Sequence, residues 1–170
     1  VKRSVPLEVA AARVCREAGG RVRTNVMVRD LNFDGLHPMD ARRIEIVVGG
    51  LPLFHGAQLA VDTTMVSALR RNGAPRPRAA RSDGAALAGA RRRKEIVYPE
   101  LVGDAARARL VVLALEVGGR WSDEAWQFTR LLAEARARDE PPLLRRAASL
   151  AWRRRWVGLL AVAAQRALAE

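Results

Sequence analysis

The stretch RIEIVVGGLPLFHGAQLAVDTTMV, residues 43–66, contains two apolar, β-rich runs, each carrying one carboxylate. Glu45 lies early in the first run and Asp62 late in the second, and the turn-rich segment GGLPLFHG separates the runs. This pattern predicts an antiparallel hairpin with a long turn. Because an early residue of one hairpin strand lies beside a late residue of the other, we expect Glu45 and Asp62 to converge. Carboxylates are costly to bury, which suggests a chemical role for the pair.

Helix and strand signals alternate around this hairpin. Helical spacing begins at Val5 and stops at Gly19-Gly20, and residues 21–28 then alternate as a strand does. A helix is predicted from residue 83 to Pro99, followed by a buried strand over residues 108–117. Two helices complete the chain. The order of helix, three strands, helix, strand and two helices predicts an α/β fold with a mixed central sheet of about four strands flanked by helices.

Three of the four tryptophans lie on the last two predicted helices. The fourth, Trp121, comes directly before the first of these helices. Ser122 is a typical N-cap residue, and the spacing that follows it is expected to turn Trp126 and Phe128 toward a core, together with Leu131 and Leu132. The final helix is predicted from Leu143 to about Ala169. Trp152 and Trp156 lie four residues apart on it, which favours packing in the core over stacking on bases.

A length of 170 residues with 49% hydrophobic content suits a single domain. We expect one domain over residues 1–170, with a basic loop at 70–83 and a C-terminal helical extension at 142–170. The chain begins at Val1 and not at a methionine, so we expect it to be part of a larger polyprotein.

Basic residues are in large excess and unevenly spread. The formal net charge is +12, and residues 70–94 hold nine basic residues against one acid, Asp83. Such a concentration points to a polyanion, most often nucleic acid, although a solvated arginine-rich loop would have the same composition. The residues expected to bind nucleic acid are Arg70, Arg71, Arg76, Arg78, Arg91, Arg92 and Arg93.

Cysteine and histidine mainly exclude classes of protein. Cys15 is the only cysteine, and His37 and His55 are isolated, so the sequence has no disulfide framework, zinc-finger spacing or hydrolase triad. The longest apolar runs are too short to cross a bilayer, and no signal peptide is recognisable. We therefore expect an intracellular protein without a membrane partner.

Two carboxylates at one end of a sheet, beside a basic surface, suit phosphodiester hydrolysis with a divalent metal, Mg²⁺ or Mn²⁺. A nearby ammonium group would orient the attacking water or neutralise the developing charge. Lys94 is the candidate, because Lys2 is the only other lysine of the chain. Its compact ammonium has properties that arginine does not duplicate.

The order of elements, with Glu45 on the second strand and VDTT on the third, resembles the restriction-endonuclease-like fold with its PD-(D/E)XK motif. More narrowly, ARRIEIVVGGLPLFHGAQLAVDTTMVSALRR, GAALAGARRRKEIVYPELVG and LVVLALEVGGRWSDEAWQF resemble the endonuclease region that follows the reverse transcriptase of some non-LTR retrotransposons. The resemblance spans roughly residues 1–165. It implies nicking of target DNA, with the freed 3′ hydroxyl priming reverse transcription.

The family pattern is a Pro-Asp pair, an Asp on the next strand and a later Lys-x-x-x-Tyr on a helix. Asp62 matches the second acid, and KEIVY matches with Lys94 and Tyr98. Glu45 would be the first acid, after Ile44 and not after a proline. Thr64 stands where the general fold has a lysine, so the resemblance implies that Lys94 takes over that role.

Three further acids are candidates for this site. The resemblance implies a metal ligand at Glu8 on the first helix, and Glu116 ends the buried fourth strand beside two glycines. With Glu45 and Asp62 they form the expected metal-binding set. Asp40 is a rival to Glu45 as the first acid.

The hypothesis is therefore a magnesium- or manganese-dependent DNA endonuclease, with Glu45, Asp62, Lys94 and Tyr98 as catalytic residues. Double-stranded DNA is the expected partner, RNA a second one, and a fused or associated reverse transcriptase a third, with the nucleus as the expected location. One alternative is a decayed nuclease fold that only binds nucleic acid through its basic surface. Another is a purely structural α/β domain, which requires a disordered basic loop and acids that face apart.

Overall fold

A computed structural model of the chain describes residues 4–31, 36–103 and 108–169. The described residues form four α-helices and four β-strands in the predicted order. Their bounds are α1 Val5–Glu17, β1 Arg21–Met27, β2 Arg43–Gly49, β3 Gln58–Val66, α2 Ala85–Val97, β4 Ala108–Glu116, α3 Asp123–Ala137 and α4 Arg145–Ala169. Short 3₁₀ turns at Val28–Leu31, Phe54–Gly56 and Pro99–Leu101 join some of them.

The strands form one mixed sheet in the order β1-β2-β3-β4. The β1–β2 and β2–β3 pairs are antiparallel, and β3–β4 is parallel. Parallel neighbours need a crossover, which the chain makes through α2. The predicted α/β class and four-stranded mixed sheet are thus confirmed.

Local signals in the sequence explain several element ends. The helix α1 stops at a glycine pair, where Gly19 has φ +95° and a Cβ on Gly20 would meet Val48 Cγ1 at 2.5 Å. Ser122 caps α3 as predicted, with its hydroxyl accepting a hydrogen bond from the Ala125 N–H at 3.2 Å. Proline ends the helical run after Val97, because it cannot continue the backbone ladder.

Helices cover both faces of the sheet. On one face, α1 and α3 pack against the strands and α4 packs on these two helices, and Leu7, Ile46 and Leu132 lie in this core. On the other face, α2 packs on the alternate residues of the strands, including Val47, Ala60 and Val112. The alternation of the strands therefore creates two cores, and it gives Asp62 the same orientation as Ala60, toward α2.

The tryptophans do not all follow the prediction. Trp156 is fully buried, while Trp152 is only partly buried. Phe128 and Leu132 lie in the core, but Trp126 is 37% exposed, so its predicted core position is wrong. It lies against Trp121 in the first turn of α3.

The basic loop at 70–83 lies between β3 and α2 and contains no helix or strand. Its first part folds back on itself, with a hydrogen bond from the Arg76 N–H to the Ala68 carbonyl oxygen at 2.8 Å. A second bond links Arg76 Nε to the Ser67 carbonyl oxygen, also at 2.8 Å. Over the described ranges, no helix combines the length and the apolar character needed to span a membrane.

Candidate active site

Glu45 and Asp62 are cross-strand neighbours. The β2–β3 register pairs Val47 with Ala60 and Ile46 with Val61, and it ends there, next to Glu45 and Asp62. The two acids line one cavity, and the charge of Asp62 acts on Glu45. The convergence expected from the hairpin is what the strand register produces.

The carboxylate of Glu45 is held by Thr63. Its Oε2 atom accepts hydrogen bonds from the Thr63 N–H at 2.7 Å and from the Thr63 hydroxyl at 2.6 Å. The Glu45 side chain thus accepts a hydrogen bond from a backbone N–H of β3 just beyond the last residue pair of the β2–β3 ladder. These two bonds fix the orientation of the carboxylate.

The carboxylate of Asp62 forms an ion pair with Lys94. The Lys94 ammonium lies 2.7 Å from Oδ1 and 2.8 Å from Oδ2. The Thr64 hydroxyl also donates to Oδ1, at 3.3 Å. The side chain of Asp62 is 2% exposed and that of Lys94 is 24% exposed, so the pair is largely shielded from water.

The surroundings of Glu45 and Asp62 disfavour the charged forms of both carboxyls. Burial raises the pKa of Asp62, and Lys94 partly opposes this shift. Burial also raises the pKa of Glu45, and the negative charge of Asp62 raises it further. The ammonium of Lys94 contacts Asp62 and not Glu45, so a cation bound between the two carboxylates would favour the charged form of both.

The two acids open into a cavity of about 190 Å³, lined by Asn25, Arg43, Glu45, Asp62, Lys94 and Tyr98. The hydroxyl of Tyr98 donates to the Arg43 carbonyl oxygen at 2.6 Å. Burial, together with the charges of Asp62 and Glu45, raises the pKa of Tyr98 to about 12. Tyr98 thus remains protonated and holds β2 at the rim of the site.

Asn25 and Arg43 were missed by the sequence reasoning. Both belong to strands and line the cavity beside the acids. Asn25 has φ +54°, an uncommon value that asparagine tolerates better than most residues. The β1–β2 register pairs Val26 with Ile44, which brings Asn25 close to Glu45. The sequence offered one signal for Asn25: a polar asparagine inside a strand of alternating residues.

The other predicted acids lie at different distances from the pair. Glu8 is 7% exposed, and its charge contributes to the raised pKa of Asp62, so α1 brings it near the site. Glu116 pairs with Val66 whereas Asp62 pairs with Val112, a separation of four residues, or roughly 13 Å, along the strands. The structure does not bring Glu116 to the acid pair, and Glu116 lies instead 3.9 Å from Arg120.

Asp40, the rival first acid, belongs to another cluster. It forms an ion pair with Arg42 at 2.6 Å, and Arg42 also contacts Glu100 at 3.0 Å. Hydrogen bonds from Arg42 lower the pKa of Asp40. This ion-pair cluster leaves Glu45 as the acid that faces Asp62.

The donor set of the cavity fits a hard divalent cation. Carboxylate oxygens suit Mg²⁺ and Mn²⁺, and Mg²⁺ commonly uses one or two carboxylates while keeping several waters. In the described ranges there is no cluster of three or more His, Cys, Asp or Glu side chains able to hold a metal. Glu45 and Asp62 would therefore hold such an ion with solvent or substrate oxygens completing its shell.

A larger cavity adjoins the site from the side of the basic loop. It measures about 610 Å³, and its lining includes Arg71, Arg76, Arg93, Lys94 and Thr64. Lys94 lines both cavities and so connects the acid pair with this arginine-rich surface. The cavity has the positive charge that a phosphate backbone requires.

The remaining predicted arginines differ in their setting. Arg70, Arg78 and Arg92 are exposed. Arg91 points away from Lys94 and forms ion pairs with Glu124 at 3.3 Å and Glu95 at 3.5 Å. Of the basic residues 91–94, therefore, Arg93 and Lys94 line the cavities of the candidate site, while Arg91 contacts α3.

No model of a known protein family matches the chain, and comparison with curated proteins gave no match either.

Proposed function

We propose that the chain is a divalent-metal-dependent endonuclease with a restriction-endonuclease-like fold, which cuts phosphodiester bonds of DNA. The observation that carries this proposal is the arrangement of Glu45, Asp62 and Lys94 in one cavity, with Lys94 bonded to Asp62. Two carboxylates with one ammonium, next to an arginine-lined cavity, combine the groups that phosphodiester hydrolysis uses.

The architecture supports the same proposal. A helix, three strands, a helix and a fourth strand form a mixed sheet, and the acids lie on its two central strands. Lys94 lies on the crossover helix and contacts Asp62 on β3. It would replace the lysine that the general fold has on the third strand, where this chain has Thr64. These are the elements on which the sequence resemblance to retrotransposon endonucleases depends.

Each residue has a proposed role in this chemistry. Glu45 and Asp62 would hold Mg²⁺ or Mn²⁺, which when bound polarises the phosphate and lowers the pKa of a water. The ammonium of Lys94 would orient the attacking water or stabilise charge that develops on the phosphate. Tyr98 would position β2 through its bond to the Arg43 carbonyl oxygen.

The DNA would be held by its phosphates. Arg71, Arg76 and Arg93 line the cavity that Lys94 shares, and exposed arginines of the basic loop extend the positive surface. Phosphate contacts carry little sequence information, so a reverse transcriptase fused to or associated with this domain would select the target. Nicking to prime reverse transcription in the nucleus, with RNA as a second partner, is the wider role we propose.

A module that binds nucleic acid without cutting it is the second candidate. It is favoured by the contacts that the acids already make: Lys94 contacts both oxygens of Asp62, and Thr63 donates to one oxygen of Glu45. A cation between the acids would share the oxygens of Asp62 with the ammonium, whose positive charge repels it. The two candidates share the fold and the basic surface and differ only in cleavage.

The test is nicking of supercoiled plasmid by the purified chain with Mg²⁺ or Mn²⁺, with EDTA as control. Asp62→Asn keeps the shape of the side chain and removes its charge, so nicking should be lost while gel-shift binding of the plasmid persists. Arg91→Gln is a matched control outside the cavity and should still nick. Binding without nicking by the unmodified chain would move the conclusion to the second candidate.

A further inference from the structure

Trp121 and Trp126 line an open cavity beside the N-terminal ends of α2 and α3, away from the acid pair. Their ring centroids are 5.3 Å apart and the rings are tilted by 35°. The cavity measures about 610 Å³, and its lining also includes Leu87 and Ala88 of α2, the ion pairs Arg91–Glu124 and Arg120–Asp83, and Asp123. Because Trp126 is 37% exposed, indole surface is open to a planar ligand here.

An arginine-rich groove continues from this aromatic pair. The guanidinium of Arg153 lies 5.4 Å from the centroid of the Trp126 ring. Arg153 also lines a groove of about 410 Å³ between α3 and α4, where Arg130, Arg145 and Arg146 face a single acid, Glu134. The aromatic surface and the positive groove therefore share Arg153. We refer to the two together as the α3–α4 track.

The track has the length of a short single strand. On α3, Trp126, Arg130 and Glu134 are spaced by four residues, so they lie on one face of the helix. From Trp126 to Ala137, a rise of about 1.5 Å per residue gives roughly 16 Å. Stacked nucleotides repeat at about 3.4 Å, so the track would accommodate about five of them.

We propose that the α3–α4 track binds single-stranded nucleic acid, with an unpaired base stacked on Trp126 and the phosphates held by Arg130, Arg145, Arg146 and Arg153. A duplex hides the faces of its bases, whereas a single strand exposes them to aromatic side chains. An acidic peptide would match the arginines but would leave the indole surface without a partner. The site is separate from the proposed active site, because Arg91 on α2 faces α3 while Lys94 faces β3.

The other tryptophan pair offers a matched control. Trp152 and Trp156 also have centroids 5.3 Å apart with a tilt of 36°, and Arg136 lies 5.3 Å from the Trp152 ring centroid. Trp156 is fully buried and Trp152 is partly buried, so this pair has less open indole surface than Trp121 and Trp126. Substitutions at Trp126 and Trp152 therefore disturb similar local packing but differ in the proposed ligand contact.

The experiment measures binding of a labelled twelve-nucleotide oligothymidine and of a duplex of equal length by fluorescence anisotropy, in EDTA so that no cutting occurs. Trp126→Leu should weaken binding of the single strand roughly 5- to 150-fold, the effect of losing one stacked base, and leave duplex binding within about twofold. Trp126→Phe should recover most of the affinity. Trp152→Leu should bind as the unmodified chain does.

Salt dependence tests the phosphate contacts. Arg146→Gln should reduce the slope of log affinity against log salt concentration by about 0.7 for the single strand. Equal losses for Trp126→Leu and Trp152→Leu, or equal losses for duplex and single strand, would overturn the proposal. Competition by polyglutamate as strong as that by unlabelled oligothymidine would assign the track to an acidic protein segment. None of these outcomes depends on nicking, which the plasmid assay tests separately.

Discussion

The ammonium of Lys94 contacts both carboxylate oxygens of Asp62, at 2.7 and 2.8 Å, although the two residues are 32 positions apart. The crossover between the parallel strands β3 and β4 brings them together, because α2 packs on the face of the sheet that carries Asp62. Lys94 thus counterbalances a buried carboxylate whose cross-strand neighbour is also an acid. The ion pair therefore bears on the stability of the fold and on the chemistry that we propose for the site.

Removing the charge of Lys94 should destabilise the protein through Asp62. Lys94→Met leaves a buried carboxylate without its partner, and we expect a loss of about 3 kcal/mol in the free energy of unfolding. Asp62→Asn in the same chain should restore part of this loss, because the uncompensated charge is gone. Urea denaturation of the unmodified chain, both single variants and the double variant measures the coupling. Strictly additive effects would contradict the proposed dependence.

Tyr98 is expected to act in positioning and not in proton transfer. Its hydroxyl donates to the Arg43 carbonyl oxygen, and its pKa is raised to about 12. Tyr98→Phe should lower the free energy of unfolding by about 1 kcal/mol, the usual effect of one lost hydrogen bond. Plasmid nicking should stay within about threefold, with an unchanged pH profile. A loss of nicking as complete as that of Asp62→Asn, in a folded variant, would instead make Tyr98 catalytic.

Glu8 and Glu116 should differ in their effect on metal dependence. The charge of Glu8 acts on Asp62, whereas Glu116 lies four residues away along the sheet. Glu8→Gln should raise the Mg²⁺ concentration for half-maximal nicking roughly tenfold, the scale expected for a residue supporting a metal site. Glu116→Gln should leave that concentration unchanged within about twofold. A titration in which Glu116→Gln has the larger effect would refute this assignment.

Arg93 and Arg91 test which side of α2 faces the DNA. Arg93 lines the cavity next to Lys94, while Arg91 is engaged with Glu124. Arg93→Gln should weaken duplex binding and reduce the slope of log affinity against log salt concentration by about 0.9, the contribution of one phosphate contact. Arg91→Gln should change neither quantity appreciably. Gel-shift titrations at several salt concentrations measure both, and equal effects would mean that the basic run acts only through its total charge.

Glu17 should make stability depend on pH below about 4.5. Hydrogen bonds from Arg155, Trp156 and Arg13 to this carboxylate lower its pKa from 4.5 to about 2. The unfolded chain then takes up its proton first as pH falls, so stability present above pH 4.5 is lost progressively toward pH 2. Glu17→Gln should lower the free energy of unfolding at pH 7 by about 1.5–3 kcal/mol and flatten this decline.

The control for Glu17 is Glu134→Gln. Glu134 forms a more exposed pair with Arg130 along α3, at 2.9 Å. Its loss should change the free energy of unfolding by less than about 0.5 kcal/mol, because exposed pairs of this kind contribute little. Thermal or urea unfolding from pH 7 to pH 2 measures both variants. A decline as steep in Glu17→Gln as in the unmodified chain would assign the acid sensitivity to other carboxylates.

Local patterning was sufficient for the order of helices and strands and for the proximity of Glu45 and Asp62. The β2–β3 hairpin joins strands adjacent in sequence, so the length of the turn and the alternation of apolar residues specify the register. The N-cap at Ser122 and the glycine stop after α1 are also local, because each depends on the backbone within a few residues. The proximity of the two acids could therefore be predicted before any packing was known.

Packing over long sequence distances determined the rest. The register of β4 against β3 involves strands far apart in sequence, and it separates Glu116 from Asp62. The rotation of α2 directs Lys94 to the acids and Arg91 to α3, a distinction that a run of basic residues does not contain. The exposure of Trp126 likewise depends on how α3 is rotated against its neighbours, since Phe128 of the same helix is buried. Side-chain direction on a helix follows from what the helix packs against, and that is a property of the folded chain as a whole.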